Sequence, residues 1–170
     1  MNIPPKTSNV TGTSSATAHE TTSNAPQESM VWLLQDLVDS VPAITHAVLL
    51  SRDGLRLLDS GADRDWTDRF SAGISGVASM AAGIPGPSNK PALAAQVVVE
   101  REDCLVFVQS AGSCSVFDNR PGDNRGQVDT VLAVVAEPTA DVHAVGFAMG
   151  RLVSRFAPYM VVPVRISPGR

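Results

Sequence analysis

Between Ser29 and Tyr159 the hydrophobic period changes in a definite order. It is helical, then strand-like twice, then helical over a long stretch, then strand-like three times, then helical again. That order admits few folds, because each period says which face of an element must be covered. The first helix is predicted to start at Ser29 as N-cap. Leu33, Leu34, Leu37, Val38 and Val41 recur on one side, with Gln35, Asp36 and Asp39 on the other. Pro42 ends it. From Ala43 to Ser51, Ile44, His46, Val48 and Leu50 alternate with Thr45, Ala47 and Leu49, which describes a strand apolar on both faces. Arg52-Asp53-Gly54 is a tight turn in which glycine supplies the positive φ. Leu55 to Ser60 returns as the second strand.

The central helix is predicted over Asp63 to Gly83. Trp66, Phe70, Ile74, Val77 and Ala81 form the stripe expected to meet the sheet. A second stripe holds only small side chains: Ser71, Ser75, Ala78 and Ala82. It is read as lying away from the first and as a surface on which another helix can approach closely. Gly73 and Gly76 each weaken the helix by ~1 kcal/mol relative to alanine, which makes sense if something packs there.

Ile84 to Lys90 is a Pro/Gly loop. Ala92 to Glu100, Cys104 to Ser110 and Thr130 to Ala136 are the third, fourth and fifth strands, with Arg101-Glu102-Asp103 turning the chain between the first two of them. Residues 111–129 form a polar, turn-rich insertion, long for a hairpin. It is either a loop or an outward extension of the strands through Val116 and Phe117, turning at Pro121-Gly122. Pro138 and Thr139 start the last helix, whose buried face is predicted as Val142, Val145, Met149, Leu152, Val153 and Phe156. The domain is thus read as residues 29–159. Residues 1–28, rich in Ser, Thr, Asn and Pro, are read as a disordered tail, and residues 160–170 as a loose end.

Composition removes several classes of function. The net charge is -4, and no basic run exists, which speaks against nucleic acid and against an anionic membrane surface. No apolar run approaches the ~18 residues of a membrane span, and the N-terminus lacks the apolar stretch of a secretory signal. The chain is accordingly read as cytoplasmic, with Cys104 and Cys114 as reduced thiols. Cys104 opens an apolar strand and is read as a small buried hydrophobe. Cys114 is placed near a loop, where the sequence leaves exposure open.

Chemistry is hard to find. There is no G-x-x-x-x-G-K-[ST] and no G-x-G-x-x-G after a strand. The three histidines, His19, His46 and His143, have no metal-ligand spacing. Ser113-Cys114-Ser115 is not a nucleophile elbow, and neither thiol has a histidine near it in sequence. Arg52 and Asp53 are turn residues first. No catalytic residue, cofactor site or metal site is assigned, and a protein-binding domain is the expectation.

Four stretches in this order carry a family resemblance. They are MVWLLQDLVDSVPAITHAVLLSRDGLRLLDSG, FSAGISGVASMAAG, VVVEREDCLVFVQSAG and VLAVVAEPTADVHAVGFAMGRLVSRF. The chain resembles the Roadblock / dynein light-chain family, nearest its bacterial MglB-like branch of regulators of small Ras-like GTPases. Arginine strongly outnumbers lysine, which fits actinobacterial members, typically encoded beside a sensor histidine kinase, a small companion protein and a Ras-like GTPase. The 111–129 insertion departs from the family's short hairpin.

The resemblance implies an α/β domain of the α+β type: a five-stranded antiparallel sheet between helices, in the order α-β-β-α-β-β-β-α. It implies a homodimer through the central helix and an adjoining strand edge, with Ser71, Ser75, Ala78 and Ala82 in the interface. It implies a non-catalytic regulator or scaffold whose GTPase-facing surface lies near Asp68, Arg69, Ala72, Ser75 and Ser79, brought to the membrane through its partners. Two rival readings remain open on the residues alone. One is a ligand-sensing domain of the PAS or GAF kind, which requires polar groups pointing from the sheet into a pocket. The other is a thiol enzyme using Cys104 or Cys114.

Overall fold

The computed structural model describes residues 21–87, 94–117 and 127–161. Five strands form one antiparallel sheet in the order β2-β1-β5-β4-β3. The strands are β1 (Ile44–Ser51), β2 (Arg56–Asp59), β3 (Val97–Glu100), β4 (Leu105–Cys114) and β5 (Val128–Ala136), and the helices are α1 (Thr21–Ser40), α2 (Arg64–Gly83) and α3 (Val142–Phe156). The expected fold class and element order are what the chain adopts.

The sheet divides the core in two, because side chains alternate faces along a strand. Ala47 and Leu49 of β1 point to the side of α1 and α3, where Met30, Leu34, Phe107, Leu132, Val134, Met149 and Phe156 are fully buried. Val48 and Leu50 point to the side of α2, where they meet Ile74, Val106, Val108, Val131 and Ala133. β1 and β5 pair along most of their length, from Ile44 opposite Ala136 to Ser51 opposite Thr130. Both central strands are apolar on both faces because helices cover both faces.

Several boundaries differ from the sequence reading, each for a local reason. α1 begins at Thr21, so the predicted 28/29 domain boundary falls inside a helix. Ser29 is not an N-cap; its hydroxyl donates back to the Ala25 carbonyl at 2.9 Å. Pro26 sits within this helix, and it was the Pro- and Ser-rich composition that hid the helical start. α3 begins at Val142, with Asp141 as N-cap accepting from the His143 and Ala144 amides, whereas Pro138 and Thr139 only turn the chain. Val142, expected in the core, is 45% exposed.

β3 is shorter than predicted; Ala94 to Gln96 lie outside the strand, and Ala92 and Leu93 lie outside the described residues. β4 is longer, running on through Cys114. Its register shifts between Ser110 and Gly112, where Gly112 has φ +88° and the Thr130 hydroxyl donates to the Gly112 carbonyl at 2.7 Å. A bulge at a glycine carries the strand past residues that read as loop. It also seals Cys114 fully in the core rather than leaving it open. Val116 and Phe117 are buried just beyond the strand. The turn at Pro121-Gly122, the first 20 residues and the end of the chain after Val161 lie outside the described residues.

Candidate functional site

The site is built around α2. Asp63 caps it, its carboxylate accepting the Trp66 amide at 2.9 Å. Trp66 and Phe70 stack one turn apart, 4.8 Å between ring centroids, the i, i+4 geometry of a helix face. Inward, Thr67, Ser71 and Ile74 are buried, and Phe70, Val77 and Ala78 pack on the β-sheet core beside Ile74.

The small-residue stripe, expected to lie away from the sheet-facing one, does not. Successive residues of a helix are about 100° apart, so Ser71, Ser75, Ala78 and Ala82 flank the apolar stripe instead of opposing it. Ser71 is fully buried within its own chain. Ser75 is half-buried and donates its hydroxyl to the Arg52 carbonyl at 2.7 Å. Their small size serves the β1–β2 turn: a Cβ on Gly54, whose φ is +95°, would lie 3.2 Å from the Ser75 Cβ and 3.3 Å from the Ala72 Cα. The turn and the helix meet backbone to backbone, and only small residues allow it.

The outward surface of α2 carries Asp68, Arg69, Ala72 and Ser79, together with Gly73, Gly76 and Met80. Ser75 is not among them. Asp68 bonds Arg56 at 2.9 Å and lies 3.8 Å from Arg64. The hydrogen bond to Asp68, and then Asp59, raises the proton affinity of the Arg56 guanidinium against the opposing effect of its burial. Arg69 donates to the Asp65 carbonyl at 3.2 Å. A Cβ built on Gly73, Gly76 or Gly83 meets nothing within 4 Å. Among the described residues of the single chain these glycines have no packing reason to be glycine.

Beside α2 a groove of about 620 Å³ opens over the sheet toward the β3–β4 turn. Trp66, Phe70 and Val77 form one wall, Val99 and Val106 the floor, and Arg69, Arg101 and Asp103 the rim. The His46 ring lies 5.0 Å from Trp66. Arg101 holds Asp103 at 2.8 and 3.2 Å, and this hydrogen bonding keeps the Asp103 carboxyl below its ordinary value. A second, smaller groove continues toward the other end of α2 along Ala78, Ala81, Ala82, Val97 and Val108. Neither groove was legible in sequence, because their walls come from segments far apart in the chain; the Trp66–Phe70 spacing was the available signal.

The thiols are poorly placed for nucleophilic work. Burial raises the Cys104 thiol, with Asp103 adding to it, and burial raises Cys114. A reactive thiol needs the opposite setting. Among the described residues no three of His, Cys, Asp and Glu gather as metal ligands, and no helix is long and apolar enough to cross a membrane. On the far face, Trp32 is 58% exposed beneath the Arg155 guanidinium, 5.7 Å from the ring centroid, and Arg155 pairs with Asp36 at 2.8 Å.

The sequence pattern of the Roadblock/LC7 domain matches residues 30–117, just over half of the chain and the part that contains α2 and all of the groove's lining but Val135. The chain belongs to the Roadblock/LC7 family. Among solved structures, a Roadblock/LC7 domain from Streptomyces avermitilis is 36% identical with a TM-score of 0.64, over 77% of this chain and 97% of that one. The gliding protein MglB of Thermus thermophilus is 18% identical with a TM-score of 0.62, over 80% of this chain and 91% of that one, and it shares the fold. MglB of Myxococcus xanthus is similar in fold at 10% identity and a TM-score of 0.57, over 76% of this chain and 93% of that one. No functionally curated protein sequence matches the chain.

Proposed function

We propose that this Roadblock/LC7 chain is a non-catalytic, homodimeric regulator or scaffold of a small Ras-like GTPase in a bacterial signalling system. One observation carries the reading. The sheet has five strands, and at ~4.8 Å per strand it is roughly 20 Å wide. One helix covers only about 10 Å. Among the described residues the α1/α3 face has its two helices, but the other face has α2 alone. A second copy supplies what is missing: its own α2 beside the first. The edge of β3, unpaired among the described residues, adjoins this gap, and pairing it with the same strand of the partner removes an open edge. Two-fold, self-complementary contacts of this kind are the usual way to close a dimer.

The contact runs along the Gly73, Gly76 and Met80 side of α2. Ser71 is excluded from it by its burial, and Ser75 and Ala78 already pack on their own chain. The GTPase-facing surface is made of Asp68, Ala72 and Ser79, doubled by the dimer axis, with Arg69 where it borders the seam. The likeness to MglB supports the GTPase as partner. A sensor histidine kinase is a second partner, and the dimer is cytoplasmic, reaching the membrane through the proteins it binds.

The test is capture of partners by the tagged full chain from its own cells, with GTP or GDP present, read by mass spectrometry. A P-loop GTPase recovered with one nucleotide and not the other is the expected result, followed by a hydrolysis assay with the purified pair. Recovery of no GTPase under either nucleotide defeats the reading.

A further inference from the structure

A ligand-sensing domain needs polar groups that point from the sheet into a pocket, and one corner of this sheet has them. On the α2 side the sheet is aliphatic through Val106, Val108, Val131 and Ala133. Beyond Val108 and Val131 it turns polar. Ser110 stands opposite Val131, and Ser113 stands opposite Asp129. Residues directly opposite each other share a face. Simple alternation from Ser110 sends Ser113 to the other side. The extra residue at the Gly112 bulge turns it back, so Ser110, Ser113 and Asp129 all face the α2 side. The Ser113 hydroxyl donates to the Asp129 carboxylate at 2.6 Å, across the two strands.

These groups close the end of the smaller groove, a cavity of about 150 Å³ beside the last turns of α2. Ala78, Ala81 and Val97 give it an apolar wall, and Ser110, Asp129 and Arg52 a polar one. Arg52 and Asp129 are neighbours, since the Arg52 amide donates to the Asp129 carbonyl at 2.8 Å. Their side chains carry opposite charges, yet among the described residues no ion pair joins them. The last turn of α2 has no basic residue, so the negative end of its dipole is left uncompensated beside the cavity. One cationic group, one anionic group and an aliphatic wall therefore share a single small volume.

We infer that this cavity binds a free aliphatic α-amino acid. The ligand carboxylate pairs with the Arg52 guanidinium, whose planar fork suits two parallel hydrogen bonds. The ligand ammonium lies between the Asp129 carboxylate and the carbonyl end of α2. The aliphatic side chain rests on Ala78, Ala81 and Val97. Size selects the class. At ~30 Å³ per water the volume is that of about five waters, which suits a metabolite of roughly eight non-hydrogen atoms and is too small for a nucleotide. Charge selects within it. A ligand with one charge leaves either Arg52 or Asp129 without its partner, and a site built for polar groups rejects an analogue that lacks one. The site is made by one chain and needs no GTPase, so it stands apart from the partner reading.

The test is isothermal titration of L-valine into the purified full chain, read by calorimetry. Saturable binding at millimolar concentration or below is expected, and no saturation by ~10 mM overturns the inference. Isovalerate lacks the ammonium and isobutylamine lacks the carboxylate. Each is expected to bind at least tenfold more weakly, and binding as tight as that of valine by either one overturns the zwitterion. Arg52→Gln and Asp129→Asn remove one charge each. Asp129 is exposed and Arg52 lies in a turn, so the thermal midpoint without ligand is expected to stay the same while the dissociation constant rises at least tenfold. An unchanged constant in either variant overturns the site. Nuclear magnetic resonance of the isotope-labelled chain gives the location. The amides of Ser110, Ser113 and Asp129 are expected to shift when valine is added, and shifts confined to other parts of the chain overturn the assignment. The titration contains no second protein, so its failure leaves the GTPase reading standing.

Discussion

Gly54 shows how much one residue decides. Its φ of +95° is a region other residues enter at a cost of ~1–2 kcal/mol, and any Cβ there meets the backbone of α2. Gly54→Ala is therefore expected to destabilise the chain by about 2 kcal/mol, read as a lower urea midpoint with an unchanged slope. Cys114 makes a second case. Burial raises its thiol above the ordinary value, so the unfolded chain loses that proton first as pH rises. The stability this contributes is intact below the unfolded thiol's range and is lost as pH climbs through about 8.5 and beyond. Denaturation midpoints measured from pH 7 to 10 should fall, and Cys114→Ala should flatten the fall whatever its effect at pH 7. Gly54 was readable from its turn motif. The burial of Cys114 was not, because it follows from a bulge at Gly112 and from the register of β4 against β5.

Among the elements, α3 and α2 illustrate opposite relations between local signal and packing. α3 is strongly amphipathic and is capped by Asp141, which accepts two amides. Asp141→Ala is expected to lower stability by about 1 kcal/mol, with Asp141→Asn or Asp141→Ser recovering most of it; thermal melts of the series check this. α2 contains glycines its own chain does not need. Gly76→Ala should stabilise the single chain by up to about 1 kcal/mol through helix propensity and at the same time weaken self-association, because a methyl group then stands at the closest approach. Denaturation at low concentration and sedimentation at high concentration should move in opposite directions. If both improve, the glycine face is not the contact.

For the whole molecule, the imbalance between the two faces of the sheet is the main fact. Among the described residues two helices cover one face and one covers the other, so the α2 side presents an apolar cleft with basic groups on its rim. A Roadblock/LC7 chain of this shape is expected to sediment at twice its 17.8 kDa. A monomer at millimolar concentration would instead make the cleft free surface.

The order of the elements, the hairpin at Arg52-Asp53-Gly54 and the inward stripe through Phe70, Ile74 and Val77 were determined by the sequence alone. Each depends on spacing within one element, and spacing is what a sequence displays. The helical start at Thr21, the true ends of β4 and α3, and the direction in which Ser71 and Ser75 point came only from tertiary structure. Two stripes a hundred degrees apart on one helix look alike in sequence when both are small or apolar; which of them turns inward depends on how close the β1–β2 turn comes. The groove belonged to the same class. His46, Trp66 and Arg101 are neighbours only because β1, α2 and the β3–β4 turn converge, and no local pattern in the chain records that convergence.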